Sequence, residues 1–161
     1  MAVDSPNLAP LARSWCTLSL LHERIQAHLE RALLARHGLS VREFALLTVL
    51  GRQHPGPGGH LQMKQVADSV LLSQSATTRL VTRLEERGLL ARCFCPTDRR
   101  GIYTHVTEPG FAVLDQARPT HDEALHQALA EARRDPRLRP LVQALAALEP
   151  VAPASELQPR D

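Results

Sequence analysis

The stretch from Ser73 to Gly110 constrains this chain more than any other. It opens S-Q-S-A-T-T-R-L-V-T-R-L-E-E-R-G and continues through L-L-A-R-C-F-C, P-T-D-R-R-G, I-Y-T-H-V-T and E-P-G. A helix is predicted over 73–87. Ser73 can accept a bond from a free N–H of the first turn. Gly88 suits the left-handed residue just past a helix end, and Leu89 supplies the apolar contact that often accompanies it. Ala76, Leu80, Val81 and Leu84 form one narrow apolar stripe. Ser75, Thr78, Arg79, Thr82 and Glu86 recur at three- and four-residue spacing on the opposite side. Such hydroxyls and guanidinium groups can reach base edges and phosphates from a helix laid in the major groove. A solvated surface helix would carry the same stripe, so the helix alone does not decide.

The residues beyond this helix shift the balance. Residues 89–95 and 102–107 are short and rich in strand formers, and Ile102, Thr104 and Val106 alternate with Tyr103, His105 and Thr107. Pro96-Thr97-Asp98-Arg99-Arg100-Gly101 between them reads as a hairpin loop. Adjacent arginines at a tip repel each other with no folding gain, whereas a narrow minor groove attracts them. Asp98 is expected to orient an arginine, because phosphates would repel it. From Ser73 to His105 six arginines oppose three carboxylates, a balance of +3, while the whole chain carries only +2. The positive charge is concentrated where a DNA-binding surface needs it.

The order of these elements, with L-S-Q-S-A-T-T-R-L-V-T-R-L-E-E-R-G-L, D-R-R-G and then T-E-P-G, resembles the winged helix-turn-helix core of the MarR family of bacterial transcription regulators. Val106-Thr107 stands where a leucine-threonine pair is usual, a mild departure. The resemblance implies a mainly α fold with a small β wing. It places a DNA-binding lobe at 40–110 and dimerisation helices at 8–36 and 111–148, while residues 1–7 and 149–161, rich in Pro, Ser and Ala without periodicity, read as loose tails. It further implies a homodimeric, sequence-specific regulator, usually a repressor, on a pseudo-palindromic operator in double-stranded DNA. Ser73, Gln74, Ser75, Thr77, Thr78, Arg79, Thr82 and Arg83 are the expected groove contacts, with Arg99 and Arg100 on the wing.

The rest of the chain fits this plan. Leu11, Trp15, Leu18, Ile25, Leu29 and Ala32 fall on a nearly seven-residue repeat, widened by Leu21 and Leu33. One long helix is predicted, with part of its stripe facing a second subunit. Ser40-Val41-Arg42-Glu43 is a capping box opening a second helix that buries Phe44, Leu47 and Leu50. Gly51 to Gly59 holds four glycines and two prolines without the lysine and hydroxyl of a phosphate loop, and is read as a turn. A short helix over 62–70 turns Met63, Val66, Ala67 and Val70 inward. Leu71-Leu72 is its tight connection to the Ser73 helix, and Gln62 and Lys64 can touch a phosphate. Thr107 is expected to cap a helix that Pro119 bends or interrupts. Asp135-Pro136 is read as an N-cap with proline first, opening a last helix with a Leu138, Leu141, Val142, Leu145 and Leu148 stripe.

Aromatics are only 3% of residues, so Leu, Ala and Val must fill the core. No apolar run approaches the ~20 residues of a membrane span. The N-terminus lacks the basic and apolar order of a secretory signal, and three cysteines fit a reducing compartment, so a bacterial cytoplasmic protein, nucleoid-associated when bound, is expected.

Three further readings stay open. Trp15, on the inward side of the first helix, is expected to pack in a core or interface. A tryptophan near the start of this helix is also similar to the urate-responsive subgroup, where it stacks on a flat aromatic ligand; Asp68 and Arg83 are the polar candidates to complete such a pocket. Cys16 lies where peroxide-sensing members carry a reactive cysteine, which makes a thiol switch the alternative trigger. The third is a winged fold that serves as an interaction module and no longer reads DNA. Cys93 and Cys95, two apart on a strand, read as buried small residues. The eight histidines lack the four-residue spacing of helical ligands, so no metal and no cofactor are expected. No nucleophile elbow or nucleotide fingerprint is present, so enzyme activity is not expected.

Overall fold

The computed structural model describes residues 8–53, 61, 63–94 and 102–148. Its elements are α1 (Leu8–His37), α2 (Val41–Leu50), α3 (Met63–Ser69), α4 (Gln74–Glu86), β1 (Leu90–Phe94), β2 (Ile102–Val106), α5 (Glu108–Arg134) and α6 (Arg139–Ala147). The chain divides into two compact units. One is Leu33–His121, and the other combines Met1–Ala32 with Asp122–Asp161. The expected tails at 1–7 and 149–161, the 96–101 hairpin tip and Gln62 lie outside the described residues.

The Leu33–His121 unit is built on leucine, as the scarcity of aromatics requires. Leu33, Leu46, Leu47, Val81, Leu84 and Leu114 share one core cluster, and each is fully buried. Each such side chain contributes roughly 1.5–3 kcal/mol of burial free energy. The capping box forms as read: the Glu43 N–H donates to Ser40 Oγ at 3.2 Å, and the Ser40 N–H donates to Glu43 Oε2 at 2.8 Å. α3 buries Val66 and Ala67 and packs against α4, and the two form the helix-turn-helix pair. β1 and β2 pair antiparallel, from Leu90 opposite Val106 to Phe94 opposite Ile102. The alternation expected in β2 is incomplete. Tyr103 and Thr104 are both buried, so both faces of the strand are covered there.

Thr107 joins the hairpin to α5. Its hydroxyl donates to the Gly88 carbonyl at 2.6 Å and accepts from the Gly110 N–H at 3.1 Å. Gly110 is demanded by space: a Cβ there would collide with the Leu89 carbonyl oxygen and lie 2.8 Å from Val106 Cγ1. Pro119 does not interrupt α5, which runs unbroken past it. Asp115 and Pro119 are both exposed, so water can serve the Asp115 carbonyl that loses its helical donor.

In the other unit Leu21, Ala132, Leu138 and Val142 form the core, with Leu20, Ile25, Leu129 and Leu141 packed against it. The predicted Asp135-Pro136 helix start is corrected. α6 begins at Arg139 with Leu138 in the N-cap position. Asp135 instead closes a turn, accepting the Arg137 N–H on Oδ1 at 3.0 Å while its carbonyl accepts the Leu138 and Arg139 N–H groups. Its carboxylate is bound by Arg137 at 2.9 Å and Arg24 at 3.3 Å. Full burial of Leu138 holds the chain in that turn and delays the helix. The last stripe is split: Leu138 and Val142 are buried, while Leu145 and Leu148 are exposed.

The side-chain and backbone hydrogen bonds from Arg137 lower the Asp135 carboxyl from its ordinary 3.8 to about 2. Folding therefore favours the ionised form. That contribution is complete above about pH 4 and is lost as pH falls through about 2. We expect Asp135→Asn to flatten the decline of melting temperature between those two pH values, relative to wild type. Parallel acid melting curves for the two proteins would show the turn to be indifferent to its charge.

Candidate nucleic-acid interface

The helix α4 is defined at both ends by its own residues. Ser73 Oγ accepts the Ala76 N–H at 3.2 Å. At the other end the Gly88 N–H reaches the Glu85 carbonyl at 2.8 Å and the Leu89 N–H reaches that of Leu84 at 2.9 Å. Gly88 has φ of 71°, the left-handed conformation that glycine adopts without strain. Thr77, Leu80, Val81 and Leu84 point inward. Ser73, Gln74, Ser75, Thr78, Arg79, Arg83 and Glu86 are exposed.

One expected groove contact is corrected. Thr77 is completely buried, and its hydroxyl donates to the Ser73 carbonyl at 3.0 Å. It belongs to the packed face, where its methyl group fills core space, and has no access to a duplex. Thr78 is exposed, and its hydroxyl donates to the Gln74 carbonyl at 2.9 Å. That bond leaves the Thr78 oxygen as an acceptor and its methyl group free for an apolar contact. Arg79 makes no ion pair or hydrogen bond among the described residues, so its five donors are available.

The remaining arginines are not equivalent. Glu43 is buried, and its Oε1 lies 3.4 Å from Arg87 Nη1 and 3.8 Å from Arg83 Nη1. Its Oε2 meanwhile accepts the Ser40 N–H. One carboxylate thus caps α2 and tethers the C-terminal half of α4. Arg92 on β1 donates to Glu85 at 2.8 Å and to the Thr82 hydroxyl at 3.4 Å. Thr82 is therefore half-buried and held by the hairpin, and Arg92 is committed to the fold. The capping box was legible in sequence; the second task of Glu43 was not, because it depends on where α4 packs.

Asp98, Arg99, Arg100 and Cys95 lie outside the described residues. Lys64 is exposed on α3. Asp68 and Arg83 belong to the Leu33–His121 unit and Trp15 to the other. Trp15 is not core, as one of its expected roles required; it is 67% exposed. Cys16 beside it is a free, exposed thiol. A cavity of about 290 Å³ is lined by Arg24, Ala27, His28, Arg31, Ala128, Glu131 and Ala132, without Trp15. Among the described residues no cluster of His, Cys, Asp and Glu could hold a metal ion. No helix among them is long and apolar enough to cross a membrane.

Comparison with known proteins agrees with this geometry. The MarR family profile matches residues 37–101. The HTH-type transcriptional regulator MhqR of Bacillus subtilis is 31% identical over 113 residues, which cover 70% of this chain and 74% of that protein. A MarR family transcriptional regulator from Streptomyces coelicolor, solved in complex with DNA, is similar with a TM-score of 0.67 and 27% identity, covering 88% of this chain and 93% of that one. CouR from Rhodococcus jostii, bound to p-coumaroyl-CoA, is similar with a TM-score of 0.59 and 28% identity, covering 84% and 92%.

Glu43 gives the interface a direct test. Glu43→Ala should lower the unfolding free energy by about 2 kcal/mol, through loss of the cap and of the buried end of the ion pairs. Glu43→Gln can keep the capping box, so we expect roughly half that loss in denaturant unfolding. Equal stability of the glutamine variant and wild type would mean that the arginines add nothing to the joint.

Proposed function

The chain belongs to the MarR family of transcriptional regulators, and from that premise we propose that it acts as a homodimeric repressor released by a small aromatic ligand. It is a DNA-binding regulator and not an enzyme. The observation that carries the reading is the outer face of α4, where Gln74, Ser75, Thr78 and Arg79 are exposed on a helix held at both ends. In this reading that face enters a major groove, while Arg99 and Arg100, oriented by Asp98, reach the flanking minor groove. Lys64 and Gln62 add phosphate contacts, and Arg83 shares its charge between Glu43 and the duplex. The protein would work in the bacterial cytoplasm, on the nucleoid.

Dimerisation is supported by an unpartnered apolar face. Leu11, Trp15 and Leu18 are 67%, 67% and 44% exposed on α1, and their spacing of four and three puts them on one side. Leu145 and Leu148 are exposed on and beside α6. A second copy covering these faces would remove an apolar surface that a lone chain gains nothing by showing to water. A two-fold dimer then reads a pseudo-palindrome with half-sites about one helical turn apart.

Two experiments test the reading. Arg79→Ala should cost about 1–3 kcal/mol at the specific operator if Arg79 grips a base bidentately. Arg99→Ala with Arg100→Ala should weaken binding without moving the melting temperature. Unchanged affinity in both variants, at one salt concentration, would remove this surface from the mechanism.

The ligand arm takes Trp15 as the ligand contact, prompted by the p-coumaroyl-CoA that CouR holds. We expect an active aromatic acid or purine to change Trp15 emission as it releases operator, and Trp15→Phe to need more of it. A variant responding at the wild-type concentration would leave Trp15 as packing only. The exposure of Cys16 favours the thiol trigger as the second reading. Operator release by peroxide that disappears in Cys16→Ser would select it.

A further inference from the structure

Among the described residues Leu71 is the one residue other than glycine with positive φ, at 53°. It occupies the turn of the helix-turn-helix. α3 ends there as α4 ends at Gly88: the Leu71 N–H reaches the Asp68 carbonyl at 3.3 Å and the Leu72 N–H that of Ala67 at 3.1 Å. Leu72 packs on the core, as Leu89 and Leu39 do after the other two such turns. The first of those turns, H-G-L-S at 37–40, passes from left-handed Gly38 (φ 62°) through buried Leu39 to the N-cap Ser40. V-L-L-S at 70–73 has the same plan and leads to the N-cap Ser73. It differs at the residue that must be left-handed.

A leucine at that position is disfavoured, because its Cβ crowds the carbonyl oxygen next along the chain. Glycine, and to a lesser degree asparagine, fills such a turn without that conflict. Packing does not compensate: Leu71 is 91% exposed, more than any other large apolar residue of the described chain. Neither the backbone nor the interior of the free protein has a use for this side chain.

Its position supplies one. Leu71 projects into solvent two residues before the cap of α4, beside exposed Ser73, Gln74 and Ser75. We infer that Leu71 is an apolar contact to the operator, an inference that rests on the DNA-binding reading above. A duplex offers apolar surface in two places near that helix end: the thymine methyl group in the major groove and the faces of the deoxyribose rings. Its exposed neighbours in sequence, Asp68, Ser69, Ser73, Gln74 and Ser75, are polar, so among the described residues of this turn Leu71 is the one strongly exposed apolar side chain, less than the patch a protein partner needs. Leucine in this turn thus exchanges stability of the free protein for a contact made only in the complex.

The test uses the full chain and a duplex that wild type selects from a random pool. Leu71→Gly and Leu71→Asn should each raise the melting temperature and each weaken binding to that duplex about tenfold, the size of one buried apolar contact. Leu71→Met should bind as wild type does. The salt dependence should stay unchanged, because no phosphate charge is lost. Uracil in place of thymine separates the two sources. A loss at one thymine in wild type and none in Leu71→Gly identifies the methyl group; no loss at any thymine identifies the sugar. Higher melting temperature with wild-type affinity in both variants would overturn the inference. So would weakened binding in Leu71→Gly alone, which would mark a loosened turn, or a lower melting temperature in Leu71→Gly. Failure to enrich any duplex would instead remove the DNA-binding reading itself, before any variant is compared.

Discussion

The buried carboxylate of Glu43 holds together the part of the molecule that matters most for function. One oxygen takes the N-terminal N–H of the α2 cap and the other faces two guanidinium groups from α4. An unpaired charge with so little contact with water would be costly, and its pairing restricts where α4 can sit. The restriction acts at the C-terminal half of the helix. The N-terminal half packs through Thr77 and Leu80 but carries no such ion-pair tether, and its outer face, with Ser75, Thr78 and Arg79, is left to solvent. The helix is therefore held along its packed face and braced by ion pairs at its C-terminal end while its outer face is presented, which suits a surface that must enter a groove without losing its orientation.

Charge in this lobe is accordingly divided by task. Six arginines over 73–105 suggested a single cationic surface. Arg87 and Arg92 in fact answer Glu43 and Glu85, tying α4 to α2 and to β1. Arg83 stands between the two tasks, with its guanidinium mostly exposed but close to Glu43. Arg79 alone of the described four has no carboxylate or hydrogen-bond partner among the described residues. A net count of charge overstates the surface available to phosphates, because it cannot separate arginines that grip the fold from those that grip the ligand.

A second recurring device is the turn in which a left-handed residue precedes a leucine packed on the core. Residues 38–39, 71–72 and 88–89 all use it, and two of the three then reach a serine that caps the next helix. In a chain with so few aromatics, this pairing of stop and anchor does much of the work that larger side chains do elsewhere. Each turn fixes a helix end and packs one leucine on the core in the same step.

Much of this was legible in the linear chain because it depends on neighbours in sequence. The caps at Ser40 and Ser73, the stop at Gly88, the inward faces of α2 and α4 and the pairing of two short strands all arise from local hydrogen bonding and side-chain periodicity. The family pattern added the dimerisation helices and the expected regulator role. The misread details are those in which distant packing overrides local preference. Thr77 looked like a groove contact but lies on the core side, and Asp135 looked like a helix cap but closes a turn around Arg137 and Arg24. Trp15, expected in a core or an interface, is not in the core of the single chain. Periodicity determines which residues share a face. Only the tertiary structure decides what that face meets, because burial and ion pairing depend on residues far away along the chain.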